Sequence, residues 1–141
     1  MYEEYTKQSL PSKNYRELLG SALCVFNSNN NFIIENILKV NDNDYSWYSL
    51  IDKESGKLHT AINHTITSYS NQKIAHLFKE IVYKRNRIIH SFQITDHNGE
   101  QRLATKDRDN KQYVITEDYL LSFIKGNEKL SSLLYEFRGD L

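Results

Sequence analysis

The sequence predicts a mainly α protein, an up-and-down bundle of about four main helices forming one domain over residues 1–141, with a small β-hairpin before the last helix. Three observations lead there. Apolar residues recur at helical spacing over four stretches, the apolar period shortens between Gln93 and Thr105, and no repeat or low-complexity linker divides the chain.

Taken in order, Pro11-Ser12 opens the first helix, with Asn14 and Glu17 at capping-box spacing. Leu19, Phe26, Ile33, Ile37 and Val40 then hold one helical phase. That phase passes through Asn27-Ser28-Asn29-Asn30-Asn31, which predicts one long helix to Val40; the competing reading is a break at the cluster, because Asn favours turns. Asn30 falls on the apolar stripe, where it either faces a site or marks that local break, the break being the expected explanation. Asn41-Asp42-Asn43-Asp44 predicts a turn, and Tyr45, Trp47, Tyr48, Leu50 and Ile51 are expected to pack at the bundle end before Ser55-Gly56 interrupts them.

Leu58, Ile62, Thr65, Ile66 and Tyr69 describe a second amphipathic helix, and Ser70 is the expected N-cap of a third running from Gln72 to Phe92. Gln93–Asp96 and Gln101–Thr105 flank Asn98-Gly99, the signature of a tight hairpin, while Asp107–Asn110 makes another turn and Gln112–Ile115 a candidate third strand. Thr116 caps the final helix, with Glu117 and Asp118 where the helix dipole favours negative charge. Its buried face is Leu120, Phe123, Ile124, Leu130, Leu134 and Phe137, and Gly126 is its weak point.

A chain of 141 residues can bury a core without disulfide staples. With 18 basic and 18 acidic side chains the whole molecule does not advertise nucleic-acid binding. Mean hydropathy is −0.65 and no apolar run approaches the ~18 residues of a membrane span, so no membrane association is expected. Met1-Tyr-Glu-Glu-Tyr lacks the basic flank and apolar core of a signal peptide. Cys24, between Leu23 and Val25, is expected as a core thiol in a reduced, cytoplasmic setting. Charge is locally uneven. From Lys73 to His90 the cations Lys73, Lys79, Lys84, Arg85 and Arg87 face only Glu80, which suits a phosphate-bearing partner or, more plainly, a solvated helix face.

The most informative residues are Arg85-Asn86-Arg87-Ile88-Ile89-His90. At about 100° per residue, Ile74, Phe78, Ile81, Arg85, Ile88 and Phe92 share one stripe, so Arg85 occupies an aliphatic slot. A charge directed there is costly unless it is paired or has a task; a snorkelling Arg or a structural ion pair is the alternative. His90 lies roughly 140° from Arg85, on the side of Tyr83 and His76, whereas Asn86 and His90 are an i,i+4 pair. For Arg85 and His90 to act on one phosphate, the helix must bend or break around Lys84–Arg87, or two copies must face each other. A permanent cation beside a group that exchanges protons near neutrality suits phosphodiester cleavage.

At Arg85, Asn86 and His90 the chain resembles the HEPN superfamily, small helical domains of bacterial toxins and abortive-infection systems, whose signature is Arg, a polar residue, a few more residues and His. Some members carry an aromatic, usually Tyr, two residues after the His; here Phe92 stands there. The resemblance implies a metal-independent endoribonuclease, a homodimer whose two motifs meet in one cleft, in a toxin–antitoxin or antiviral defence role. A cognate antitoxin or regulatory protein is then a possible further partner. It assigns catalysis to Arg85, Asn86 and His90, while Lys79, Lys84 and Arg87 on the cationic helix are candidates to hold the RNA backbone. It equally admits a catalytically inactive module that binds a protein partner or nucleotide. Phe92 has no hydroxyl, so it cannot accept the adenylyl group that relatives paired with a nucleotidyltransferase antitoxin take on their Tyr. No cofactor or metal is expected: His59 and His64 do not share a helix face, and there is no Cys pair, His-Glu-x-x-His motif or glycine-rich phosphate loop.

Overall fold

The computed structural model describes residues 1–141 and is mostly helical, with a three-stranded sheet before the last helix. A two-stranded ribbon, β1 (Tyr2–Glu3) and β2 (Gln8–Ser9), leads into α1 (Lys13–Val40). The cap of α1 is Ser12, whose hydroxyl accepts the Tyr15 amide at 3.3 Å. Asn14 belongs to no capping box; its amide reaches across to Glu117 at 3.1 Å.

Helix α1 crosses the asparagine cluster unbroken. Asn ends helices when its side chain competes for nearby backbone groups, and here tertiary partners remove that competition. Buried Asn29 donates to the carbonyl and side-chain oxygens of Asn127, at 2.8 and 3.1 Å. Asn30 accepts the Ser55 hydroxyl at 2.7 Å, so it marks a tie and not a break. Cys24 is exposed, against the expectation of a core thiol: two positions from buried Phe26 on a helix is nearly the opposite side.

After the Asn41 turn come α2 (Trp47–Ile51), a 3-10 turn (Ser55–Lys57) and α3 (His59–Ile62), which continues into a π-helical turn (Asn63–Thr67). Leu50 is buried but Tyr48 is exposed, so the aromatic stretch packs only in part. Leu58, Ile62, Thr65 and Ile66 form the buried face of the next segment, and Tyr69 is exposed. Ser70 closes this segment by donating to the Ile66 carbonyl at 2.7 Å; it is Asn71 that accepts the Lys73 amide, at 2.9 Å, where α4 (Lys73–Ile89) begins. Helix α4 stops at His90, and Phe92 starts a strand instead of ending the helix.

Strands β3 (Phe92–Thr95), β4 (Gln101–Lys106) and β5 (Gln112–Ile115) pair antiparallel in that order. Gly99 at φ 79° and Asn110 at φ 64° supply the left-handed residues of the two turns. The Thr116 hydroxyl accepts the Tyr119 amide at 3.0 Å and opens α5 (Glu117–Gly139), which runs through Gly126 without a break. Leu120, Phe123, Leu130, Leu134 and Phe137 are buried as expected, and Ile124 is half-buried.

The first and last helices are parallel, which departs from a strict four-helix up-and-down order. Contacts advance together along α1 and α5: Asn14 with Glu117, Asn29 with Asn127, Phe32 with Tyr135 at 4.7 Å between ring centres, and Glu35 with Arg138 at 3.8 Å. The short leg from Trp47 to Lys57 returns the chain before α3 starts, and α4 then runs antiparallel to α5. A single cluster of 22 buried residues makes the core, and its centre stacks Phe26 on Phe78 and Phe123 at 6.2 and 6.4 Å. Fully buried Tyr15 pins the sheet to α1, donating to the Ile115 carbonyl at 2.6 Å and accepting the Leu103 amide at 3.2 Å. No helix is long and apolar enough to cross a membrane.

Candidate functional site

Helix α4 is uninterrupted from Lys73 to Ile89, so the phase read from the sequence holds through the motif. The helix does not bend back to join Arg85 and His90. Arg85 turns into the bundle, its guanidinium carbon 4.9 Å above the centre of the Phe26 ring. Its Nε is buried without a hydrogen-bond partner. Burial draws the guanidinium pKa below its ordinary value and the charge of Glu54 opposes that, yet an Arg keeps its proton under any physiological condition. Arg85 is therefore a half-buried cation held on an aromatic face, with no carboxylate salt-bridged to it.

His90 is the exposed C-cap of α4, and its backbone amide donates to the Asn86 carbonyl at 2.9 Å. Asn86, half-buried one turn earlier, shares its face. Ile89 and Phe92, 48% and 44% exposed, flank the histidine. From Arg85 to His90 the helix turns by roughly 140° and rises by about 7.5 Å. One chain thus groups Asn86 with His90 and leaves Arg85 on another face.

The three candidate RNA-holding cations diverge. Lys79 is exposed on the face of Asn86 and His90, while Lys84 projects about 140° away from it. Arg87 is committed elsewhere: its Nη1 donates to the Lys106 carbonyl at 3.1 Å and its guanidinium lies 5.9 Å from the Tyr83 ring centre. That makes it a brace between α4 and β4. Arg108 also covers the Tyr83 ring, at 4.6 Å.

No family model, curated protein or solved structure matches the chain.

A second constellation was invisible in the sequence. Between the segment Ser55–Asn63 and the N-terminal half of α4 lies a cavity of about 420 Å³ that gathers His59, Asn63, His76 and Lys79. They come two from each of two helical segments, as the pairs His59 and Asn63 (i,i+4) and His76 and Lys79 (i,i+3), and the meeting of the two pairs had no local signal. No three His, Cys, Asp or Glu side chains cluster in a way that could hold a metal ion.

Proposed function

We propose that the chain is a metal-independent endoribonuclease of the HEPN type, acting as a homodimer in a toxin or antiviral defence setting. The observation that carries this reading is Arg85: a guanidinium desolvated at its Nε, with no carboxylate salt-bridged to it, five residues before an exposed histidine. Such a cation keeps its charge for an incoming anion.

In this mechanism the ribose 2′-oxygen attacks the adjacent phosphorus, a 2′-O–P bond forms and the P–O5′ bond breaks. One His90 takes the proton of the 2′-OH and another gives one to the departing 5′-oxygen, which two copies across a two-fold axis supply. Arg85 stabilises the charge on the pentacoordinate phosphorane, and Asn86 orients His90 or the phosphate. Exposed Ile89 and Phe92 give the axis an apolar contact beside the histidines. Lys79 and Lys84 remain to hold the RNA backbone, and DNA is spared because it lacks the nucleophile.

A second reading, an inactive module that binds a protein or nucleotide, is favoured by the separation of Arg85 and His90 within one chain. Incubation of total RNA with parent and His90→Ala protein in EDTA discriminates them. Cleavage by the parent alone is expected, with identical helical spectra because His90 is exposed. An inert parent, or a His90→Ala variant that cuts as fast, refutes the ribonuclease.

A further inference from the structure

The cavity between Ser55–Asn63 and α4 has a floor and a mouth of different chemistry. Its floor is made by Ile62, Phe78 and Val82, all buried. Its mouth carries His59, His76 and Lys79, and no carboxylate lines it. Lys79 and His76 enter no ion pair within the chain. The Nδ1 of His59 bonds the Gly56 carbonyl at 3.1 Å and so serves as donor, leaving Nε2 with only the Thr60 hydroxyl at 3.5 Å. One wall includes Asn63, the first residue of the π-helical turn, a distortion that recurs at functional sites. An apolar slot takes a flat ring, and the Lys79 ammonium at a mouth without acidic neighbours takes the anion attached to it; a nucleobase with its phosphate combines the two.

Position adds to the chemistry. Lys79 shares the α4 face of Asn86 and His90, and lies about 16 Å before His90 along the axis, a span of a few nucleotides of single strand. We infer that the cavity holds one nucleotide of the RNA substrate, its base against Phe78 and Val82 and its phosphate at Lys79 and His76, a few residues from the phosphate that is cut. The placement relative to a cut rests on the ribonuclease reading; the nucleotide site itself does not. A sequence preference at a fixed distance from the scissile bond follows.

The test uses a labelled hexa-adenylate with every 2′-oxygen methylated, which cannot be cleaved, and adenosine 5′-monophosphate as competitor. Fluorescence anisotropy should show the full chain binding the hexamer. Ala75→Phe, which fills the cavity, and Lys79→Gln should each weaken binding at least ten-fold with parental melting temperatures. Should Ala75→Phe unfold, Ala75→Leu fills less space and takes its place. Binding within two-fold of the parent by both variants overturns the inference, and so does a hexamer that the parent does not bind. If the monophosphate competes as well as the hexamer, the site serves a free nucleotide and the RNA placement is overturned. Unchanged hexamer binding by variants that still cut RNA in EDTA removes the subsite and leaves the ribonuclease standing. Cavity-dependent binding by a parent that cuts no RNA supports the nucleotide site and overturns the ribonuclease.

Discussion

Replacing Arg85 with Met separates a structural arginine from a catalytic one. Met follows the stem of the lost side chain and keeps contact with the Phe26 ring through its sulfur. What goes is the cation–π attraction, about 0.5–1 kcal/mol for a partly exposed pair. Against this stands the buried Nε without a partner, a desolvation cost of about 1–3 kcal/mol that Met does not carry. The balance runs from neutral to about 2.5 kcal/mol in favour of the variant, a melting temperature between unchanged and about 10 °C higher. Cleavage should nevertheless fall by about 10²–10³-fold, the usual loss when one stabilising donor leaves a charged transition state. Urea denaturation followed by circular dichroism gives the first quantity and RNA cleavage in EDTA the second. A variant less stable by more than about 2 kcal/mol would show that Arg85 holds the fold together. Parental cleavage would show that it has no catalytic part.

Two further outcomes follow from the packing. Tyr15→Phe strands the Ile115 carbonyl and the Leu103 amide and should cost about 1–3 kcal/mol by denaturant titration. Burial also raises the Tyr15 pKa, so its contribution is fully present below the ordinary tyrosine pKa of about 10 and is lost as pH rises through the higher folded value. The parent should therefore lose stability in that alkaline range more steeply than Tyr15→Phe, with half-buried Tyr119 contributing equally to both; identical slopes would contradict the role given to Tyr15. Ile89→Asp places a charge in the proposed two-fold contact and should convert a dimer into a 16.6 kDa monomer by light scattering, with loss of cleavage; a parent already monomeric at micromolar concentration would refute the shared cleft.

Much of the fold was legible because helical phase and cap chemistry are local. Thr116, the Asn98-Gly99 turn and the unbroken phase of α1 through its asparagines could all be read from the chain. Directions were not. The return leg consists of a five-residue helix and a three-residue turn, too short to show periodicity, so the parallel pairing of α1 and α5 stayed hidden. Phe92 continued the apolar stripe by coincidence, although the chain had already turned into β3. Cys24 was legible in principle, since sequence neighbours of a core residue lie on different sides of a helix. At the motif, phase alone gave the orientation of Arg85. Its aromatic seat on Phe26 and the tie from Arg87 to Lys106 depend on elements distant in sequence.

The most direct test of the proposed ribonuclease activity changes one atom of the substrate. A cut site is mapped in an RNA in the presence of EDTA, and the nucleotide on its 5′ side is then replaced by the 2′-deoxy analogue. Attack by the 2′-OH predicts a 2′,3′-cyclic phosphate and a 5′-OH at the original cut, and no cut there after the replacement. Cleavage at the deoxy position, 3′-OH and 5′-phosphate ends, or no cut at all by the dimeric parent would contradict it.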